Sequence, residues 1–246
     1  MDVAIVFKWA YNTEDALVEK DGTVIWRHAK CVASDDDATT IVFAREIAGS
    51  TGGKLISATI GDGDATWSLA RGAGSVASVG GFASGPDDVA TASLLAEALK
   101  KAGEADVVLM GDMQEHAGVA GALGGLLGIP ALLDIHDVSV DPNNPGQLIV
   151  RRKTLEGIQS FRVKPPVLLA ISAERAETQA PGVKQLLAAR KLPVERFEAE
   201  NGQSFSSSAR VVGQRAPEAR IARMFEGDNA AADLVAALRV DGVLKS

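Results

Sequence analysis

Apolar runs without alternation recur at Val3–Phe7, Ala105–Met110 and Pro166–Ser172, and Lys54–Ile60 reads as a further strand. Such runs read as strands covered on both faces, as in a parallel sheet. Ser75–Val79 is a thinner run of the same kind. Amphipathic segments stand between them. Ser34-Asp35-Asp36-Asp37 opens a helix with its body at Thr39–Ala48 and its exit at Ser50–Gly53; acids in that first turn cap orphan N–H groups. Thr66–Arg71 is a short helix. Pro86-Asp87-Asp88 starts another that runs through Lys101, with Val89, Leu94, Leu95 and Leu99 toward the sheet. Thr23–Trp26, after Asp21-Gly22, is one arm of a small hairpin. The resulting β-α-β-α-β-α-β-α order predicts an α/β fold: a mostly parallel, doubly wound sheet with helices on both faces.

The chain centres on Ala105–Pro130, where a buried strand ends at Gly111 and a polar loop, Asp112–His116, leads into a helix over Ala117–Leu127. Gly128 and Pro130 close that helix. A loop at the carboxyl end of a parallel strand, feeding a helix N-terminus, is where open α/β sheets bind ligands, and a phosphate is favoured there. Gly118 and Gly121 either admit a ligand or let the helix pack closely on its neighbours. Beyond Pro130 the pattern changes. Ala131–Val140 is extended, Gln147–Thr154 and Gly157–Val163 form a small antiparallel hairpin, and Pro181–Arg190 is a helix. Glu198–Pro217 is polar and loosest at Ser204–Ser208, and Ala230–Arg239 is a final amphipathic helix. Two domains are expected: an α/β nucleotide-binding domain at 1–197, and a C-terminal arm plus partner-docking helix at 198–246.

Composition narrows the function. A chain of 246 residues with 46% hydrophobic and 23% charged residues can build a large soluble core. A net charge of −7 argues against nucleic acid. The single cysteine, Cys31, makes no internal disulfide, and no leader precedes the first strand, so a cytoplasmic setting is expected. No apolar run nears the roughly 18 residues that span a bilayer, so no membrane insertion is expected.

Several side chains invite chemistry. Lys8 and Trp9 follow the first strand, where a ligand at the sheet edge would meet them; solvation and packing are the plain alternative. Asp62 and Asp64 lie in a second strand-end loop, but two acids without a third ligand make a weak metal site. Asp134 and His136 share a face of an extended segment, with Asp137 beside them, and a polar strand edge accounts for them as well as a metal does. His116 beside Glu115 reads as a phosphate or supporting contact rather than an acid–base pair. No G-x-S-x-G elbow, Walker loop or G-x-G-x-x-G after the first strand is present, so no catalytic residue set is expected.

The order of pieces resembles the β subunit of electron-transfer flavoprotein over nearly the whole chain. The residues that carry the resemblance are VFK at Val6–Lys8, SDDD at Ser34–Asp37, TIG at Thr59–Gly61 and GDMQEHAGVAG at Gly111–Gly121. LLGIP at Leu126–Pro130, LIVRRKTLEG at Leu148–Gly157, PPVLLAIS at Pro165–Ser172 and APGVKQLLAARKLPVE at Ala180–Glu195 follow in the family's order, and Arg223–Leu244 looks like its closing segment. The resemblance implies a heterodimer with an α subunit, FAD held at the α/β interface, and AMP or a second FAD at the β subunit's sheet edge. It places that nucleotide over Val6, Lys8, Ile60 and Gly61. Its phosphate would meet Gly111, Glu115, His116, Ala117, Gly118 and Val119. Gly118→Asp is then expected to abolish nucleotide retention, read by extraction of the purified chain. The resemblance also implies a recognition loop for a flavin-dependent dehydrogenase at Ala180, Pro181, Gly182 and Lys184.

The chain departs from the family pattern in three places. The Gly111 loop is shorter, with Ala117, Gly118 and Val119 where polar groups are usual; the Asn-Pro-Phe before the first helix is absent around Ala33–Asp35; and Ala180 replaces the anchoring Leu. The expected function is an electron-carrier subunit, not an enzyme with its own turnover. Two rivals are an adenine-nucleotide-binding signalling module of universal-stress-protein type, and a metal-dependent hydrolase using Asp62, Asp64, Asp134 and His136.

Overall fold

The computed structural model describes residues 1–7, 9–61, 64–80, 87–111, 118–172, 180–199, 212 and 222–244. In chain order come β1 (Val3–Phe7), β2 (Ala10–Tyr11), β3 (Leu17–Val18), β4 (Val24–Ile25), β5 (Cys31–Val32), α1 (Asp35–Thr51), β6 (Leu55–Ile60) and α2 (Thr66–Leu69). Next are β7 (Ser75–Gly80), α3 (Asp88–Ala102), β8 (Val107–Gly111), α4 (Gly118–Leu127), β9 (Ala131–Ile135) and β10 (Asp137–Asp141). The last are β11 (Asn144–Thr154), β12 (Gly157–Val163), β13 (Val167–Ile171), α5 (Val183–Ala189), β14 (Val194–Glu198) and α6 (Ala230–Val240).

Seven strands make one sheet in the order β14-β7-β6-β1-β8-β13-β9, with every neighbouring pair parallel. Alternate side chains of β1 serve two cores. Val3, Ile5 and Phe7 pack with Ile41, Phe43 and Ile47 of α1, while Ala4 and Val6 pack with Leu95 and Leu99 of α3 and Val119 and Leu123 of α4. Covering both faces is what lets β1, β8 and β13 be apolar at every position, apart from the closing Gly111. The expected mostly parallel α/β sheet is therefore present, and so is the antiparallel hairpin, β11–β12, widened by β10 into three strands.

Local chemistry sets the ends of α1. Ser34 Oγ accepts from the Asp37 N–H at 3.1 Å while Asp37 Oδ2 accepts from the Ser34 N–H at 3.2 Å. The first turn is acidic at Asp35, Asp36 and Asp37, complementing the positive end of the dipole.

One expectation is corrected, and two stretches resolve further. Val89 is 60% exposed rather than turned to the sheet, because the covered face of α3 begins a turn later, at Ala92. Val194–Glu198 is a strand, β14, at the sheet edge beside β7. Its two apolar residues stand three apart, so Val194 packs in one core and Phe197 in the other, and the segment shows no alternation to read. The extended stretch 131–140 is two strands in two different sheets. The Ser204–Ser208 stretch lies outside the described residues.

The chain divides into two compact units, residues 1–17 with 25–212 and residues 18–24 with 213–246. In the second, Glu19 N–H donates to Thr23 O at 2.9 Å, Arg223 pairs with Asp241, and α6 has no buried side chain.

At the amino edge of the sheet Asp2 joins three strands. Its N–H donates to Asp106 Oδ2 at 2.8 Å, and its Oδ1 accepts from the Lys54 N–H at 2.7 Å. The chain passes so closely here that a Cβ on Gly53 would collide with the Met1 carbonyl. Gly53→Ala is expected to cost at least about 1–3 kcal/mol, as overpacking does, visible as an earlier midpoint in urea unfolding. An unchanged midpoint would show that the Met1–Gly53 approach is not required.

Candidate functional site

The order of strands makes a switch point. From β1 the chain leaves through α1 to β6 on one side, and from β8 it leaves through α4 toward β9 and β13 on the other. A crevice at the carboxyl ends of β1 and β8 is the place where such sheets take ligands. The register brings the expected residues to this edge: Val6 pairs with Met110, one short of Gly111, and Phe7 pairs with Thr59, one short of Ile60. Val6, Ile60 and Val119 are buried together on the α3/α4 face, an apolar floor. Lys8, Glu115, His116 and Ala117 lie outside the described residues, as does Asp62.

The polar groups of this edge are largely engaged within the protein. Thr59 Oγ1 donates to the Phe7 carbonyl at 2.8 Å. Gly61, at φ 94°, holds a conformation that suits glycine; its N–H donates to Val79 O at 2.7 Å and its carbonyl accepts from Ser78 Oγ at 3.0 Å. On the α1 face a Cβ at Gly111 would press on Asp37 Oδ1 and Asp36 Cβ, at 2.9 and 3.0 Å. On the other face a Cβ at Gly118 would collide with the Asp88 carboxylate of α3. Gly118 is thus a close-packing glycine; Gly121 alone of the pair has open space before it. A side chain at 118 would disturb α3 whether or not a nucleotide binds, so Gly118→Asp does not isolate a phosphate contact. Beside the edge, Trp67 stacks on Phe7 with ring centroids 5.0 Å apart, and the Arg71 guanidinium lies 4.5 Å over Trp67. Burial lowers the pKa of Arg71 from the usual arginine value.

A second polar group stands where β9 turns into β10. Leu132 pairs with Leu169 and Ile135 with Ile171, so β9 carries one extra residue, and Asp134 adopts φ 58° within this bulge. Asp134 Oδ1 accepts from Ser172 Oγ at 2.8 Å, and His136 Nδ1 lies 3.3 Å from that hydroxyl and 3.7 Å from the carboxylate. Arg152, Lys153, Thr154 and Leu155 complete an open cleft of about 570 Å³ around Asp134 and His136. Sequence reading missed Ser172 here, since its approach depends on the bulge. Asp137 turns instead to Arg151, at 2.6 Å. Asp64 accepts from the Thr66 N–H at 2.9 Å and from its hydroxyl, closing a local turn. Among the described residues no group of three or more His, Cys, Asp or Glu could hold a metal.

Ala180, Gly182 and Lys184 are exposed and Pro181 is half-buried. Gly182 and Gln185 close the start of α5, the Gly182 N–H donating to Gln185 Oε1 at 2.8 Å. The helix then presents Val183 and Leu187 to solvent, 74% and 55% exposed. These two were not singled out from sequence, although apolar residues at i and i+4 could have marked a face.

Residues 22–201 match the electron transfer flavoprotein domain, well over half of the chain. The chain belongs to that family. Members of the electron transfer flavoprotein family carry electrons rather than turning over a substrate of their own, and generally bind flavin. Of the central sheet, only β1 lies outside the matched span. Among curated proteins no match is found. Among the described residues no helix is long and apolar enough to cross a membrane.

Asp134 gives a test of the bulge. Asn tolerates a left-handed backbone and a β-branched residue does not. Asp134→Asn is expected to shift thermal unfolding little, and Asp134→Val to destabilise by about 1–3 kcal/mol. Equal midpoints for the two variants would remove the strained conformation from the account.

Proposed function

We propose that the chain is the β subunit of a heterodimeric electron transfer flavoprotein, passing electrons from a flavin-dependent dehydrogenase to an acceptor through FAD held at the interface with an α subunit. The observation that carries this reading is the family match over residues 22–201. Three further features support the β assignment: the β10–β12 sheet beside the parallel core, the exposed apolar face of α5 where the recognition loop is expected, and α6, which buries none of its side chains. An amphipathic helix with no covered face gains stability by packing on a partner. Ala180, Pro181, Gly182 and Lys184 are the proposed dehydrogenase contacts, with Val183 and Leu187 supplying apolar area. A reducing, cytoplasmic setting accords with Cys31, exposed and without a disulfide.

The flavin supplies the redox chemistry; the chain's own part is to shape and exclude water from one side of it and to dock the donor. AMP or a second FAD at the switch point finds a partial fit. Val6, Ile60 and Val119 suit an aromatic base, whereas a phosphate in the expected surroundings of Lys8, Gly111, Glu115, His116, Ala117 and Gly118 would meet the Asp88 carboxylate that lies against Gly118.

Co-expression with an α subunit tests the assignment. Flavin is expected in denatured extracts of the complex, at least one FAD per heterodimer, and none from the chain alone; no flavin in the complex would overturn it. Leu187→Asp in the complex is expected to lower kcat/KM for reduction by the dehydrogenase about tenfold or more with flavin content unchanged. Unaltered kinetics would move the docking face away from α5.

A further inference from the structure

We propose that Asp88 is the resident anion of the α4 N-terminus and excludes a nucleotide phosphate from it. This rests on the reading above that a β-site nucleotide would lie at the β1/β8 switch point.

The argument begins with the two helices. α3 starts at Asp88 and α4 at Gly118, and the two pack side by side on one face of the sheet. Asp87 already caps α3, its Oδ1 accepting from the Val89 and Ala90 N–H groups at 2.9 and 3.0 Å. Asp88, the next residue, lies with its carboxylate against Gly118, so closely that a Cβ there would overlap Oδ2. The first turn of α4 has no acid of its own. A carboxylate supplied by its neighbour therefore stands at the positive end of α4, and at the first turn of α3 as well, where two helix dipoles favour negative charge. A phosphate brought to Gly118 would meet that carboxylate at close range, where like charges repel. Across the sheet, Gly111 is backed by Asp36 and Asp37, so the other glycine of the expected phosphate cradle is also flanked by acids. Gly61 offers no compensating donor, since its N–H is bonded to Val79 O. The apolar floor of Val6, Ile60 and Val119 is untouched by this argument, and discrimination falls on the phosphate alone.

AMP and adenosine, titrated calorimetrically onto the full-length chain, separate the phosphate from the base. The unaltered chain is expected to bind AMP no more tightly than adenosine, and to carry no AMP through purification. Asp88→Asn removes the charge and keeps the shape; it is expected to raise AMP affinity about tenfold or more and leave adenosine unchanged. AMP retained by the unaltered chain, AMP bound more tightly than adenosine by that chain, or no gain in the variant would each overturn the proposal. Asp88→Ser is the second variant, with the same gain expected; if neither variant folds, Asp88 is a structural residue and the proposal falls. The FAD content of the complex with an α subunit is read separately. Its absence would sink the carrier assignment while leaving the AMP-to-adenosine comparison to decide on Asp88.

Discussion

The parallel ladder of β1 with β6 and β8 has no face open to water, and this requirement governs where everything else lies. Its backbone groups are satisfied by neighbouring strands, and its side chains by helices on both sides. α1 must then cover one face, and α3 and α4 the other. Because all three helices begin at the carboxyl edge, their N-termini gather there. The polar character of the site is thus a by-product of the way a buried sheet is covered.

That gathering of positive helix ends explains the acids around the edge. Asp35, Asp36 and Asp37 start α1, and Asp87 and Asp88 start α3, whereas α4 starts on glycine. Each carboxylate stabilises a helix end, but a carboxylate that reaches a neighbouring helix also changes what that helix can receive. Asp88 against Gly118 is such a case. The same residue serves stability on its own helix and selectivity on the next, and the absence of a Cβ at Gly118 is what permits it.

The surfaces outside the central sheet follow another rule. The bulge at Asp134 takes the chain out of the parallel sheet and into the β10–β12 sheet, and gathers Asp134, His136 and Ser172 at one corner. α5 and α6 keep apolar side chains in solvent, Val183, Leu187, Leu234 and Val240 among them. Area of this kind is stabilising only when a partner covers it.

Sequence by itself determined the strands of the core and the caps of the helices, because both are local. The runs Val3–Phe7 and Pro166–Ser172 announce burial on two faces, and Ser34 with Asp37 announces a helix start within four residues. The switch-point edge was legible too, since strand-end loops in an α/β order have one place to go. The rest depended on partners distant in the chain. β14 became a strand because β7 offered an open edge to pair with, not because Val-Glu-Arg-Phe-Glu has a strand pattern. Gly118 reads in sequence as room for a ligand, and only the packing of α3 on α4, which brings Asp88 from thirty residues away, filled that room with a carboxylate. Ser172 met Asp134 through a one-residue bulge that no periodicity encodes. Local order is set by backbone and capping chemistry within a few residues, whereas electrostatic neighbours are set by how the helices come to rest on the sheet.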